Sequence, residues 1–109
     1  MAKSDGLDNV TQELRRGVIV LAVLSQLQEE QYGYSLMKRL SDKGLEIDQG
    51  TLYPLLRRLE SQGLLESNWR VEGERPRRYY FTSPQGVKAL KQLKEEWAGI
   101  VSMMKKMLA

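Results

Sequence analysis

Neither cysteine nor histidine occurs in this 109-residue chain. Their absence removes disulfides, most zinc sites, Ser-His and Cys-His nucleophile pairs, and imidazole acid–base chemistry. Carboxylates alone could still catalyse, but no acidic residue stands in a recognisable constellation. Glu95 and Glu96 are adjacent, and Glu72 and Glu74 fall in a turn-like segment, as solvated surface charges do. The expectation is a non-enzyme with no cofactor and no metal. Long apolar runs are missing too. The longest, Val18 to Leu24, spans seven residues, against the ~18 that suggest a membrane span. The opening MAKSDGLDNV has no apolar signal-peptide core, so a soluble, cytoplasmic protein is expected. Internal repeats and low-complexity stretches are absent as well.

What is present fits one folded unit. The length suffices for a single core, and 41% hydrophobic with 28% charged residues is globular rather than disordered composition. The formal net charge of +3 is a weak pointer to an anionic partner, and its distribution is a stronger one. Arg57, Arg58, Arg70, Arg75, Arg77 and Arg78 crowd one short stretch that contains no lysine. Arginine's planar fork matches phosphate oxygens and guanine edges, whereas lysine acts as a point charge.

Prolines are few, three in all, and one interrupts GTLYPLLRRLESQGLL, residues 50–65. Leu52, Leu55, Leu56 and Leu59 recur with the spacing of one helical face, which predicts a stripe turned to a core. Gly50, Pro54 and Arg57 fall opposite, with Tyr53 and Arg58 flanking them. Proline costs about 3 kcal/mol in a helix interior but little in the first turn. The helix therefore starts near Gly50 or Thr51, or, if Asp48 is the N-cap, it runs on through a kink at Pro54. Either way its outward end is small and uncharged, topped by a tyrosine, with two arginines one turn later. Such a face can approach another polymer closely.

Three helices precede or include this segment. Val10 to Gln28 is apolar on too many sides for a surface helix and reads as a central buried one. Tyr32-Gly33-Tyr34 reads as a turn, followed by a short helix with Leu36, Met37 and Leu40 on one side and Gly44 as its C-terminal cap. The next helix ends at Gly63. This arrangement fits a helix-turn-helix. LLESNWRV and RRYYFT then read as a β-hairpin around EGERP, with Arg75, Arg77 and Arg78 at the tip and Trp69, Tyr79 and Phe81 sharing an apolar face. Tyr80 and Phe81 join the core leucines. Because Arg77 and Arg78 alternate faces of one strand, the hairpin arginines cannot all serve one surface.

After a Ser-Pro entry signal at residues 83–84, the chain ends in a long helix. Leu90, Leu93, Trp97, Ile100, Met104 and Met107 alternate spacings of three and four, an a/d seam held for almost three heptads. Nothing else in so short a chain can cover about 37 Å of helix, so a second copy is the expected cover. Leu14 and Val18 of the first helix would lie near that seam. The fold class is thus mainly α with a small β-hairpin. Residues 1–82 are expected to form a helix-turn-helix with its hairpin, a unit for binding double-stranded DNA, and residues 83–109 a dimerisation helix. The rival reading is a winged-helix protein-interaction module without sequence-specific DNA binding. A small-residue helix face and an arginine-only hairpin tip favour DNA.

YGYSLMKRL, then GTLYPLLRRLESQGLLESNW, then PRRYYFTSPQG resemble the PadR-like transcriptional regulators across nearly the whole chain. The match is to the short subgroup, with one long C-terminal helix. The resemblance implies a bacterial, nucleoid-associated homodimer that represses neighbouring genes from a palindromic operator and is released by a small molecule. It also implies a recognition helix over Thr51 to Glu60 and a wing over Trp69 to Phe81, giving Gly50, Thr51, Tyr53, Pro54, Arg57, Arg58, Arg75, Arg77 and Arg78 as DNA-contacting residues. In some short members a tryptophan matching Trp97 lines a cavity between protomers where flat aromatic compounds stack. Leu14, Val18 and Val101 would complete such an effector site here. Operator, regulated gene and effector are not legible in the sequence, and phenolic acids, antibiotics and no ligand at all fit it equally.

Overall fold

A computed structural model describes residues 5–109; residues 1–4, which begin both the expected 1–82 unit and the stretch read as lacking a leader, lie outside the described residues. Along the chain come α1 (Asp5–Gln26), β1 (Gln31–Tyr32), α2 (Gly33–Asp42), α3 (Gln49–Ser61), β2 (Leu65–Glu72), β3 (Arg75–Thr82) and α4 (Pro84–Leu108). The architecture is mainly helical with a small antiparallel sheet, a winged helix-turn-helix followed by one long helix. No helix among the described residues is long and apolar enough to cross a membrane.

The stripe on α3 fixes the rest. Leu52, Leu55, Leu56 and Leu59 are buried against Leu36 and Leu40 of α2, Val23 and Leu24 of α1, and Leu27, Leu65, Tyr80 and Leu90. Each fully buried leucine contributes about 1.5–3 kcal/mol, enough to set the rotation of α3 about its axis. Pro54, Arg57 and Arg58 are consequently exposed. Both helices of the helix-turn-helix end by one device. Gly44 at φ +101° and Gly63 at φ +83° let Leu45 N–H reach the Leu40 carbonyl and Leu64 N–H reach the Leu59 carbonyl, each at 2.9 Å. That left-handed step favours glycine.

At the start of α4 the Ser83 hydroxyl accepts from Gly86 N–H at 2.9 Å and donates to the Gly63 carbonyl at 2.6 Å, with Pro84 in the first turn. One buried serine thus caps α4 and ties it to the end of α3. A Cβ on Gly86 would stand 2.0 Å from the Leu64 carbonyl oxygen. Glycine is what lets α4 dock this closely.

Several expectations need correction. Of the two openings considered for α3, the chain takes the one capped at Asp48, whose carbonyl accepts from Thr51 and Leu52 N–H at 3.2 and 3.0 Å. Pro54 therefore sits in the second turn, where the Gly50 carbonyl loses its partner at a solvent-exposed position. Tyr32-Gly33-Tyr34 is not a turn: Gln31 and Tyr32 pair with Tyr80 and Tyr79 of β3, and Gly33 opens α2. The hairpin is therefore two strands of a three-stranded sheet ordered β1-β3-β2. Two residues are too few to show a period.

The shared face of Trp69, Tyr79 and Phe81 does not form. The register sets Trp69 opposite Arg78, and Tyr79 opposite Asn68, so Trp69 stands on the other side of the sheet and is 64% exposed. Phe81 is only half-buried. The first helix is central at one end alone: Val23 and Leu24 are fully buried, whereas residues 6–18 are exposed. Leu90, counted into the seam between copies, is 4% exposed and belongs to the chain's own core. It faces the winged domain rather than a second chain.

Candidate nucleic-acid interface

The stripe that buries one side of α3 presents its other side beside the wing. Between them lies a concave surface of about 640 Å³. Tyr53 and Arg57 of α3 line it together with Arg75, Arg77 and Arg78 of β3. Five of the expected contact residues therefore meet in one place. Gly50, Pro54 and Arg58 are exposed on α3 but do not line it, and Thr51 lines a separate depression with Arg15, Arg16 and Asp48. Tyr32, Gly33 and Tyr34 at the start of α2, Gln49 at the start of α3, and Trp69 and Tyr80 on the sheet complete the concavity. Of these, Gln49 carries no signal in the sequence, whereas Trp69 and Tyr80 read there as packing residues and the YGY segment as a turn.

Tyr53 is half-buried and lies on Gly33. A Cβ there would come 2.3 Å from its Cε1 and 2.6 Å from its hydroxyl oxygen. The glycine that opens α2 thereby leaves room for the tyrosine of α3, and the two helices meet at the floor of the concavity.

Ion pairing divides the arginines. Arg78 pairs with Glu60 at 2.9 Å, and its guanidinium faces the Trp69 and Tyr80 rings. Arg77 lies 3.6 Å from Glu72 and stacks 4.4 Å over the Tyr32 ring. Arg70 pairs with Glu30 and covers Tyr79 at 4.6 Å. Among the described residues no ion pair engages Arg57, Arg58 or Arg75. Free guanidinium groups are the ones able to exchange water and counterions for a phosphate without first breaking a protein contact. No sequence-local signal could have found the Arg70–Glu30 pair, whose members stand 40 residues apart.

The titratable groups nearby are set by the same contacts. The Tyr79 hydroxyl donates to Glu72 at 2.8 Å, which pushes that phenol above its ordinary pKa, and burial pushes Tyr80 up. Both stay neutral donors at physiological pH. At the start of α3 the Thr51 hydroxyl holds the Asp48 carboxyl below its usual value. No cluster of acidic side chains among the described residues could hold a metal ion.

A second concavity of about 950 Å³ runs between α1 and α4. Trp97, Leu14, Val18 and Val101 all line it, joined from the seam by Leu93, Ile100 and Met104. Met107 does not, and is 69% exposed.

Three comparisons bear on these surfaces. The family model described as "Transcriptional regulator PadR-like family" matches residues 20–92, from within α1 into α4. The chain is 42% identical over 79 residues to Transcriptional regulator Rv3488 of Mycobacterium tuberculosis, covering 72% of this chain and 74% of that protein. Among solved structures, it is similar to a PadR family transcriptional regulator from Eggerthella lenta, with 47% identity, a TM-score of 0.87, and 95% and 93% of the two chains covered. It is similar also to a transcriptional regulator from Clostridium thermocellum, with 33% identity, a TM-score of 0.79, and 86% and 96% covered.

Proposed function

The chain belongs to the PadR-like family of transcriptional regulators, and from that premise we propose that it is a homodimeric repressor of a palindromic operator. The observation that carries the reading is the convergence of α3 and the wing on one concave surface, whose Arg57 and Arg75, like nearby Arg58, make no ion pair among the described residues. In this reading α3 enters the major groove with Tyr53, Pro54 and Arg57 leading, Gly50 and Thr51 permit close approach, and Arg58 and Arg75 grip phosphates. Arg77 and Arg78 serve mainly inside the protein. Residues 1–82 act as the DNA-binding unit and α4 as the dimerisation element.

The uncovered apolar face supports the dimer. Leu14 and Val18 on α1, with Trp97, Ile100, Met104 and Met107 on α4, are all exposed, and a second copy related by a two-fold axis would cover them. The groove they border is apolar and large enough for a planar aromatic effector beside Trp97, whose binding would alter the angle between protomers. The rival, a protein-docking winged helix, accounts less well for a face on which three arginines make no ion pair among the described residues.

Hydroxyl-radical footprinting on the promoter of the protein's own gene tests the reading. A two-fold repressor protects two patches whose centres lie about 34–36 Å, or one helical turn, apart. Uniform protection along the duplex, or none, would show that the surface does not read an operator.

A further inference from the structure

Glu60 puts a negative charge at the edge of a surface assigned to an anion. It lies on α3, three residues after Arg57, and its side chain is only about a quarter exposed. Both carboxylate oxygens are engaged. Oε1 accepts from the Arg78 guanidinium at 2.9 Å, and Oε2 accepts from the Ser67 hydroxyl at 2.7 Å. Arg78 Nε in turn donates to Ser67 Oγ at 3.1 Å. The three side chains close a triangle whose corners stand on α3, β2 and β3.

Charge-assisted hydrogen bonds are about twice as strong as neutral ones, and a closed triangle resists rotation about any one of its sides. The hairpin cannot swing against α3 without breaking two of these bonds. Arg78 also lies 5.7 Å from the Trp69 ring centroid, so the exposed tryptophan of the wing is oriented by the same group. On the opposite face of the hairpin Glu30 takes Arg70 and, at 3.4 Å, Asn68. The wing is held from both sides, and the triangle adds directional hydrogen bonds to the apolar packing of Leu65 and Tyr80 against the recognition helix.

We infer that Glu60 and Ser67 are positioning residues that set the wing relative to α3 and so determine operator preference, with Arg78 serving this latch. The inference rests on the DNA-binding reading above. It makes a prediction opposite in sign to plain electrostatics. Removing an acidic side chain from a DNA-facing surface should tighten binding to any duplex through the added positive field. If the carboxylate is a latch, removing it weakens binding to the operator.

The experiment compares wild type, Glu60→Gln, Glu60→Ala and Ser67→Ala on the promoter duplex and on a random duplex at one salt concentration. The two Glu60 variants lose the same charge, but glutamine can still accept from Arg78. Promoter affinity is expected to fall about tenfold in Glu60→Ala, as for coupled residues of one polar network, and by less in Glu60→Gln. Ser67→Ala, which changes no charge, falls as well, while random-duplex affinity holds or rises. In a Trp97→Phe background, Trp69 emission shifts with each variant that loosens Arg78. Promoter binding that is unchanged or tighter in both Glu60 variants overturns the inference, as do parallel losses on both duplexes. Should Glu60→Ala fail to fold, Ser67→Ala decides by the same criteria. A wild type without promoter preference overturns the DNA-binding reading and the latch with it; a wild type with that preference, beside variants that keep it, overturns the latch alone.

Discussion

Arginine is the commonest bearer of charge around the wing, yet what each guanidinium can do depends on its neighbour. Arg78 has Glu60, Arg77 has Glu72 and Arg70 has Glu30, while Arg57 stands one helical turn beyond Tyr53 with no acidic partner among the described residues. Its exposed position on the small-residue side of α3 suits a base edge, whereas Arg75 next to the wing's tight turn suits a phosphate. Arg57→Ala is therefore expected to cost about 1–3 kcal/mol on the operator and to relax sequence preference there. Arg75→Ala should weaken operator and random duplex alike. Quantitative gel-shift titration on both duplexes separates the two, and equal losses on both for Arg57→Ala would remove its assigned role. Nothing in the spacing of these arginines foretold their partners. Glu60 and Arg78 share no local period, and Arg70 and Glu30 meet only because β1 brings the α1–α2 connection to the sheet.

At the scale of elements, legibility followed the length and strength of each pattern. The α3 stripe fixed which residues face outward, and Ser83-Pro84 marked the start of α4, because each rests on local chemistry of the backbone or on a repeated period. Failures came where one or two residues or a distant contact decide. β1 has two residues and exists because β3 offers an open edge. Trp69 was assigned to the wrong face because its side depends on hairpin register, which Gly73 sets by turning at φ +64° between Glu72 and Glu74. Leu90 fits the heptad seam by spacing, but α4 docks so closely at Gly86 that its first turns belong to the core. The seam available to a partner therefore begins about one turn later than its spacing implies. That remaining length of α4, with α1, frames the groove at Trp97. A planar aromatic compound is expected to bind there, quench tryptophan emission and weaken operator binding, and Trp97→Ala should abolish the effect in a protein that still dimerises and binds DNA. Repeating the quench in that variant accounts for Trp69. A variant that falls apart into monomers would make Trp97 a structural plug and move the effector site elsewhere.

For the whole molecule, the two concavities sit on different elements, and in the proposed dimer the angle between protomers would couple them. α4 spans about 37 Å at 1.5 Å per residue, comparable to the 34–36 Å between half-site centres on one face of DNA. In the proposed dimer, a small change in the angle at which two such helices cross would move both recognition helices off register and would link occupancy of the groove to that of the operator in both directions. An effector needs no contact with DNA to release it. The central claim beneath this scheme is that the arginine-bearing concavity binds DNA as a paired surface. The most direct measurement is the salt dependence of affinity for the protein's own promoter, with a random duplex beside it. Arg58 and Arg75 from each of two protomers predict a log–log slope of about −4, at roughly 0.9 per phosphate contact, and a preference for the promoter of about 10³ or more. A slope near zero, or equal affinity for both duplexes at every salt concentration, would contradict it.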